Sequence, residues 1–247
     1  MTATQNAPRT ARERARVELT REIKEGARRQ LAATGANGIS LRAVARELGM
    51  VSSALYRYYP SRDDLLTALI IDAYDAVGEA AERAIADGKP DESWGRDRWL
   101  AACHAIRGWA LAHPHEYALI YGSPVPGYRA PEATVGPAAR VPLAFAGVLA
   151  AAAEAGELGD DAGAHAGPDA AADALTGGLA DQAAALSAAL ASPVAPDVLV
   201  RAVIAWTQLF GMISWELFGQ FVGSFEPADA LFAHAVDQLA TFVGFPF

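Results

Sequence analysis

Two places in this chain carry residue types that could support catalysis, and a third carries residues suited to recognition. His113, His115 and Glu116 lie close together, and two imidazoles beside a carboxylate can hold a metal or move a proton. Pro114 stands between the histidines and breaks the i, i+4 spacing that two ligands on one helical face require. No further Cys/His cluster accompanies them, so they read as a solvated helix-to-loop corner. Cys103 is the single cysteine; it has no partner for an intrachain disulfide and reads as a small buried core residue. No nucleophile elbow, phosphate-cradling glycine loop or Rossmann fingerprint is present. No catalytic residue, metal or cofactor is therefore expected. The third group is Ser52, Ser53, Arg57 and Tyr58, whose side chains can hydrogen-bond to base edges or phosphates.

Charge separates the chain in a way that suits this third group. The whole sequence of 247 residues carries −9. Residues 1–62 hold 12 Lys+Arg against 5 Asp+Glu, a balance of +7, and the remainder holds −16. A small basic head on a large acidic body orients a molecule toward phosphates at one end.

The elements that must position these side chains read as helices throughout, because the apolar spacing is helical and no stretch alternates like a strand. The expected fold class is all-α. Ile23, Ala27 and Leu31 repeat on a first helix over about 13–34, ended by Gly35 and Gly38. Ser40 is an N-cap for a short helix burying Leu41, Val44, Ala45 and Leu48, and Gly49 stops it. Ser52 or Ser53 opens a third helix that runs to about Tyr59, where Pro60 closes it. Ser61 caps a longer helix, with Asp63 and Asp64 placed against its positive end. Beyond Asp87 the chain becomes aromatic and alanine-rich and divides into five or six helices, the strongest over 197–219 and 227–243. Helix ends within 150–191 are not readable, and Gly159–Gly167 reads as a mobile loop.

A short helix, a turn at Gly49 and a second short helix form the helix-turn-helix pattern, whose second helix enters the major groove. The run Ser40-Leu41-Arg42-Ala43-Val44-Ala45-Arg46-Glu47-Leu48-Gly49-Met50, followed by Ala54-Leu55-Tyr56-Arg57-Tyr58-Tyr59-Pro60-Ser61-Arg62-Asp63-Asp64-Leu65-Leu66, resembles the tetracycline-repressor (TetR) family over about residues 17–77. The resemblance implies an all-helical homodimer with an N-terminal three-helix DNA-binding head and a C-terminal domain that dimerises and binds an inducer. It implies that Arg42 reaches a base or phosphate. Ser52, Ser53 and Ala54 then face base edges, and Tyr56, Tyr58 and Arg62 grip phosphates, with Ser40 and Arg57 completing the DNA-facing set. Two departures stand out: Val51 occupies a position where many members carry a capping Ser, and Tyr58 one where His is common. Ser52 is the expected substitute cap. Tyr59 is expected in the core.

These expectations divide the chain into a basic flexible arm (1–16), a helix-turn-helix domain (17–77) and a regulatory and dimerisation domain (78–247). Trp99, Trp109, Tyr121, Phe145, Trp206 and Phe210, with His104, Arg107 and Gln208 as polar groups, suit a pocket for an apolar or aromatic small molecule, though each also suits an ordinary core. The helices 197–219 and 227–243 are expected to pair with their copies as a four-helix bundle. No uninterrupted apolar run approaches the length of about 20 residues needed to span a bilayer, and Thr4–Arg16 is polar and Arg-rich, so a cytoplasmic location with no membrane partner is expected. The expected function is a repressor released from a palindromic double-stranded DNA operator by a small-molecule inducer. The competing reading is a ligand-independent architectural or interaction DNA-binding protein, which would need only a head and a dimer around a sealed body.

Overall fold

The computed structural model describes residues 10–87, 94–159 and 175–246. Among these residues there are ten α-helices and no strand. They fall into two units: one contains residues up to Ala73 together with His115–Thr134, and the other contains Tyr74–Pro114 and the chain from Val135 onward.

In the first unit α1 (Ala11–Thr34) begins earlier than apolar periodicity indicates. A capping box sets the start: Glu13 N donates to Thr10 Oγ1 at 3.2 Å and Thr10 N donates to Glu13 Oε2 at 2.7 Å. Arg12, Arg14 and Arg16, expected in a flexible arm, therefore stand on a helix. Arg9 and the rest of residues 1–9 lie outside the described residues. After a 3-10 turn at Ala36–Gly38, α2 (Leu41–Glu47) opens with Ser40 Oγ accepting from Ala43 N.

Gly49 turns the chain at φ 65°, the left-handed region that a Cβ disfavours. The third helix, α3 (Ser52–Leu55), is shorter than expected. Pro60 draws the following residues into turns, although Tyr59 N still donates to Leu55 O at 3.1 Å. Its N-cap is Val51, with no side-chain acceptor. The expectation that Ser52 substitutes as the cap is thus corrected, because Ser52 already has helical geometry as the first residue of α3.

Next, α4 (Arg62–Ala86) is capped as expected: Asp64 N donates to Ser61 Oγ at 3.1 Å, and Ser61 N donates back to Asp64 Oδ2 at 2.9 Å. Ile23, Ala27, Val44, Ala45, Leu55, Leu65 and Leu66 have no exposed surface and form the core of the head; Tyr59 is buried with them. Each fully buried Leu or Ile contributes on the order of 1.5–3 kcal/mol. The helix α6 (Pro114–Tyr121) belongs to the same unit and buries Tyr117 completely. Arg28 on α1 bridges Asp72 of α4 at 2.7 Å and Glu116 of α6 at 2.9 Å.

In the second unit α5 (Trp94–Ala112) packs against α7 (Val135–Ala155), α9 (Pro196–Leu217) and α10 (Asp229–Val243), while α8 (Gly177–Leu190) lies on α9. Trp99, Ile106, Leu149, Leu209, Phe232 and Phe245 fill the core. The two strongest helices expected from the sequence thus appear at Pro196–Leu217 and Asp229–Val243, the first started by a proline whose missing N–H is not needed there. The loop expected at Gly159–Gly167 lies, beyond Gly159, outside the described residues. Two stretches, Glu132–Ala155 and Pro196–Leu217, have the length and mean hydropathy of a membrane span. Neither forms an uninterrupted apolar run, because polar and small residues divide each one without lowering its average much.

Candidate nucleic-acid interface

The short helices α2 and α3 present two faces of opposite character. Leu41, Val44, Ala45 and Leu55 turn inward, and this packing fixes α3 against α2. Ser40, Arg42, Arg46, Val51, Ser53, Tyr56 and Arg57 are exposed; Ser52, Ala54 and Tyr58 are partly covered. Because α3 is anchored through Leu55, Ser52, Ser53, Tyr56 and Arg57 on its other sides remain available.

Ion pairing distinguishes these arginines from several others in the head. Lys24 and Arg28 both pair with Asp72, Arg29 pairs with Glu47, and Arg21 is held between Glu18 and Glu25. Arg62 donates to the carbonyl of Ala36. Arg42, Arg46 and Arg57 have no ion-pair partner among the described residues. Unneutralised cations therefore stand on and beside the two short helices, where phosphates would gain most from them. Arg46 was not singled out by sequence reasoning. Its exposure at the last turn of α2 follows from the inward positions of Val44 and Ala45, a periodicity that sequence alone also displays.

In the second unit the aromatic residues expected to line one pocket occupy several sites. Trp99 and Phe145 meet with ring centroids 4.6 Å apart, and Phe245 lies 6.0 Å from Trp99, inside the packed core. His104 stands edge-on to Phe232 at 5.4 Å. Trp109 stacks on His113 at 5.4 Å, and Trp206 meets Phe210 at 5.9 Å along α9. Tyr121 belongs to the first unit, 5.2 Å from Tyr117. The buried Arg107 is consumed by ion pairs, donating to both carboxylate oxygens of Glu216 at 2.8 and 2.6 Å and to the exposed Asp229 at 3.0 Å. A cleft of about 220 Å³ lies elsewhere, lined by Glu82 and Ile85 of α4, Trp94 and Arg98 of α5, and Leu143 and Val148 of α7. The Arg98 guanidinium lies 4.0 Å over the Trp94 ring. Sequence reasoning missed this cleft because its third wall comes from α7, far along the chain from the consecutive helices α4 and α5.

The other chemically capable residues are placed as follows. The ring of His113 contacts the carbonyl of Trp109 at 2.9 Å through Nδ1, and Glu116 is paired with Arg28. No His/Cys/Asp/Glu grouping able to hold a metal occurs among the described residues. Cys103 is fully buried, and desolvation pushes its thiol far above the usual range, which leaves it unreactive.

Residues 23–69 match the family described as bacterial regulatory proteins, tetR family, and residues 99–239 match the tetracyclin repressor-like C-terminal domain. The chain belongs to the TetR family. The HTH-type transcriptional regulator Rv1816 of Mycobacterium tuberculosis is 41% identical over 210 residues, which is 84% of each chain. The crystal structure of the regulatory protein SCO4313 is 35% identical, with a TM-score of 0.68 over 93% of this chain and 98% of that one. A TetR family transcription regulator from Shewanella sp. PV-4 shares the fold at 17% identity, with a TM-score of 0.58 over 92% of this chain and 98% of that one. This TetR-family protein is accordingly a DNA-binding transcriptional regulator, and the residues that match the family's N-terminal model run from within α1 into α4.

Proposed function

We propose that this regulator is a homodimeric repressor that reads a palindromic operator with α3 and is released when a small apolar or aromatic molecule binds its second unit. The observation that carries the reading is the set of arginines on and beside α2 and α3, Arg42, Arg46 and Arg57, that no carboxylate among the described residues neutralises. Ser52, Ser53 and Ala54 face base edges in this assignment. Ser40, Arg42, Tyr56, Arg57 and Tyr58 contact phosphates or bases, and the protein acts in the cytoplasm, where its operator is.

A second copy accounts for the exposed side of α9. Ile204, Gln208, Gly211, Trp215 and Phe218 recur at alternating spacings of four and three along that helix, the repeat of a helix-pairing seam. Trp215 is 57% exposed and Phe218 49%. With α10 beside it, α9 supplies half of a four-helix interface. A two-fold dimer reads a two-fold site, which is why the operator is assigned as a palindrome. In this reading the ligand is seated in the cleft beside Trp94, between Ile85, Leu143 and Val148, where Arg98 lies over the Trp94 ring.

Selection from random double-stranded DNA, followed by gel-shift titration at two salt concentrations, tests the reading. Enrichment of a palindrome is expected. Arg57→Ala should reduce the slope of log K against log[salt] by about 0.9 for each phosphate that Arg57 neutralises. Arg42→Ala should also relax preference at one base pair if it reads a base, at about 1–3 kcal/mol. Binding without sequence preference in the wild type would refute the operator-reading assignment.

A further inference from the structure

Val51 is 70% exposed, the largest exposure among the large apolar side chains described. It directly precedes α3, with extended backbone at φ −71° and ψ 135°, and supplies no cap to that helix. Ser, Thr, Asp or Asn at the same position would offer an acceptor to the first turn and carry less apolar surface into water. The chain thus forgoes a cap and exposes two methyl groups at one point, next to Ser52 and Ser53 and shortly before Arg57. Neither local helix stability nor core packing accounts for this choice.

We infer that Val51 is a specificity-determining residue that packs its methyl groups against the C5-methyl group of a thymine in the major groove. The inference rests on the assignment of α3 as the groove-entering helix, whose leading residues are those that reach base edges. Among the four bases only thymine presents a methyl group on the major-groove edge. An apolar side chain flanked by hydroxyls and an unpaired arginine therefore selects thymine by touching that methyl, while its neighbours supply hydrogen bonds.

Replacing thymine by deoxyuridine removes that one methyl group and leaves the base pair's hydrogen-bonding pattern unchanged. In the enriched operator, each thymine is replaced in turn in both half-sites, and binding is measured by gel shift for the full-length wild type, Val51→Ser and Val51→Thr. The wild type should bind about 4-fold more weakly per half-site at one symmetry-related thymine, the effect of exposing one buried methyl group. Val51→Ser should be indifferent there while keeping its sensitivity to substitutions elsewhere, and Val51→Thr, with one methyl left, should fall between. Thermal melting of Val51→Ser should show no loss of stability, since the hydroxyl supplies the missing cap. If no thymine loses affinity on this replacement, or if Val51→Ser loses as much as the wild type at every one, Val51 does not read a methyl group. Failure to enrich any sequence would instead overturn the assignment of α3 itself, and this inference with it.

Discussion

Arg62 donates through Nη2 to the carbonyl of Ala36 at 2.8 Å, while its Nη1 lies 3.4 Å from Asp63. The guanidinium thereby ties the first turn of α4 to the turn that follows α1. Family resemblance places Arg62 against a phosphate, yet in this chain its best-directed donor is already engaged by backbone. Arg62→Ala should lower the free energy of unfolding by about 1 kcal/mol: a hydrogen bond from a charged group contributes about 1.5–3, reduced here because the side chain is 31% exposed. The salt slope of operator binding should not change. Urea unfolding and salt-dependent gel shifts check both halves, and a slope smaller by about 0.9 with unaltered stability would return Arg62 to the phosphate.

Acid should weaken the second unit through His104. His104 keeps an exposed edge, but partial desolvation beside the ring of Phe232 at 5.4 Å, and secondarily the positive charge of Arg107, hold the imidazole below its ordinary value of 6.5. A histidine with a depressed folded-state pKa binds more protons when unfolded, so its contribution is complete above 6.5 and is lost as pH falls from 6.5 toward the folded value. His104→Gln should flatten stability across that window. Urea titrations at several pH values between about 5 and 8 would show it, and parallel profiles for variant and wild type would assign the acid sensitivity to other groups.

How far these features were legible beforehand depends on the range of the interaction responsible. The head is written in local signals. Apolar spacing marked the inward faces of α1 and α2, Ser40 and Ser61 marked two helix starts, Gly49 marked the turn, and Tyr59, expected in the core, is buried. Val51 shows the limit of such signals, since reading the cap required knowing that Ser52 had already entered the helix. Arg107 shows a second limit. It looked like a polar group at the wall of a pocket, but its partners Glu216 and Asp229 are 109 and 122 positions away, and no local pattern announces such a pairing. The cleft beside Trp94 was hidden for the same reason, because α4, α5 and α7 each contribute only a few of its residues.

The exposed seam of α9 leads to a prediction about assembly. Ile204→Glu combined with Trp215→Glu places four carboxylates in the two-copy interface, where unpaired charge is strongly disfavoured. Sedimentation should show a wild-type dimer and a monomeric double variant of unchanged helical content by circular dichroism. Operator affinity should fall at least about tenfold, because each half-site would then be bound independently. A double variant that remains dimeric at all concentrations would exclude α9 as the interface.

The cleft beside Trp94 leads to the last prediction, and a glycine makes it testable. Gly147 lines the cleft from α7, and a Cβ added there would meet nothing within 4 Å. Gly147→Leu should therefore fill the space without straining the helix, and it raises helix propensity at an exposed position. If the inducer occupies this cleft, the variant should bind operator as the wild type does while losing its response to any molecule found by screening tryptophan fluorescence. Coupling of about 1–3 kcal/mol, typical of such systems, corresponds to a roughly 5- to 150-fold reduction in operator affinity for the liganded wild type. Linkage requires the reverse effect to be equal, so saturating operator must weaken ligand binding by the same factor. A Gly147→Leu protein that responds like the wild type would move the ligand site elsewhere in the second unit. A ligand whose affinity ignores saturating operator would refute allosteric release wherever it binds.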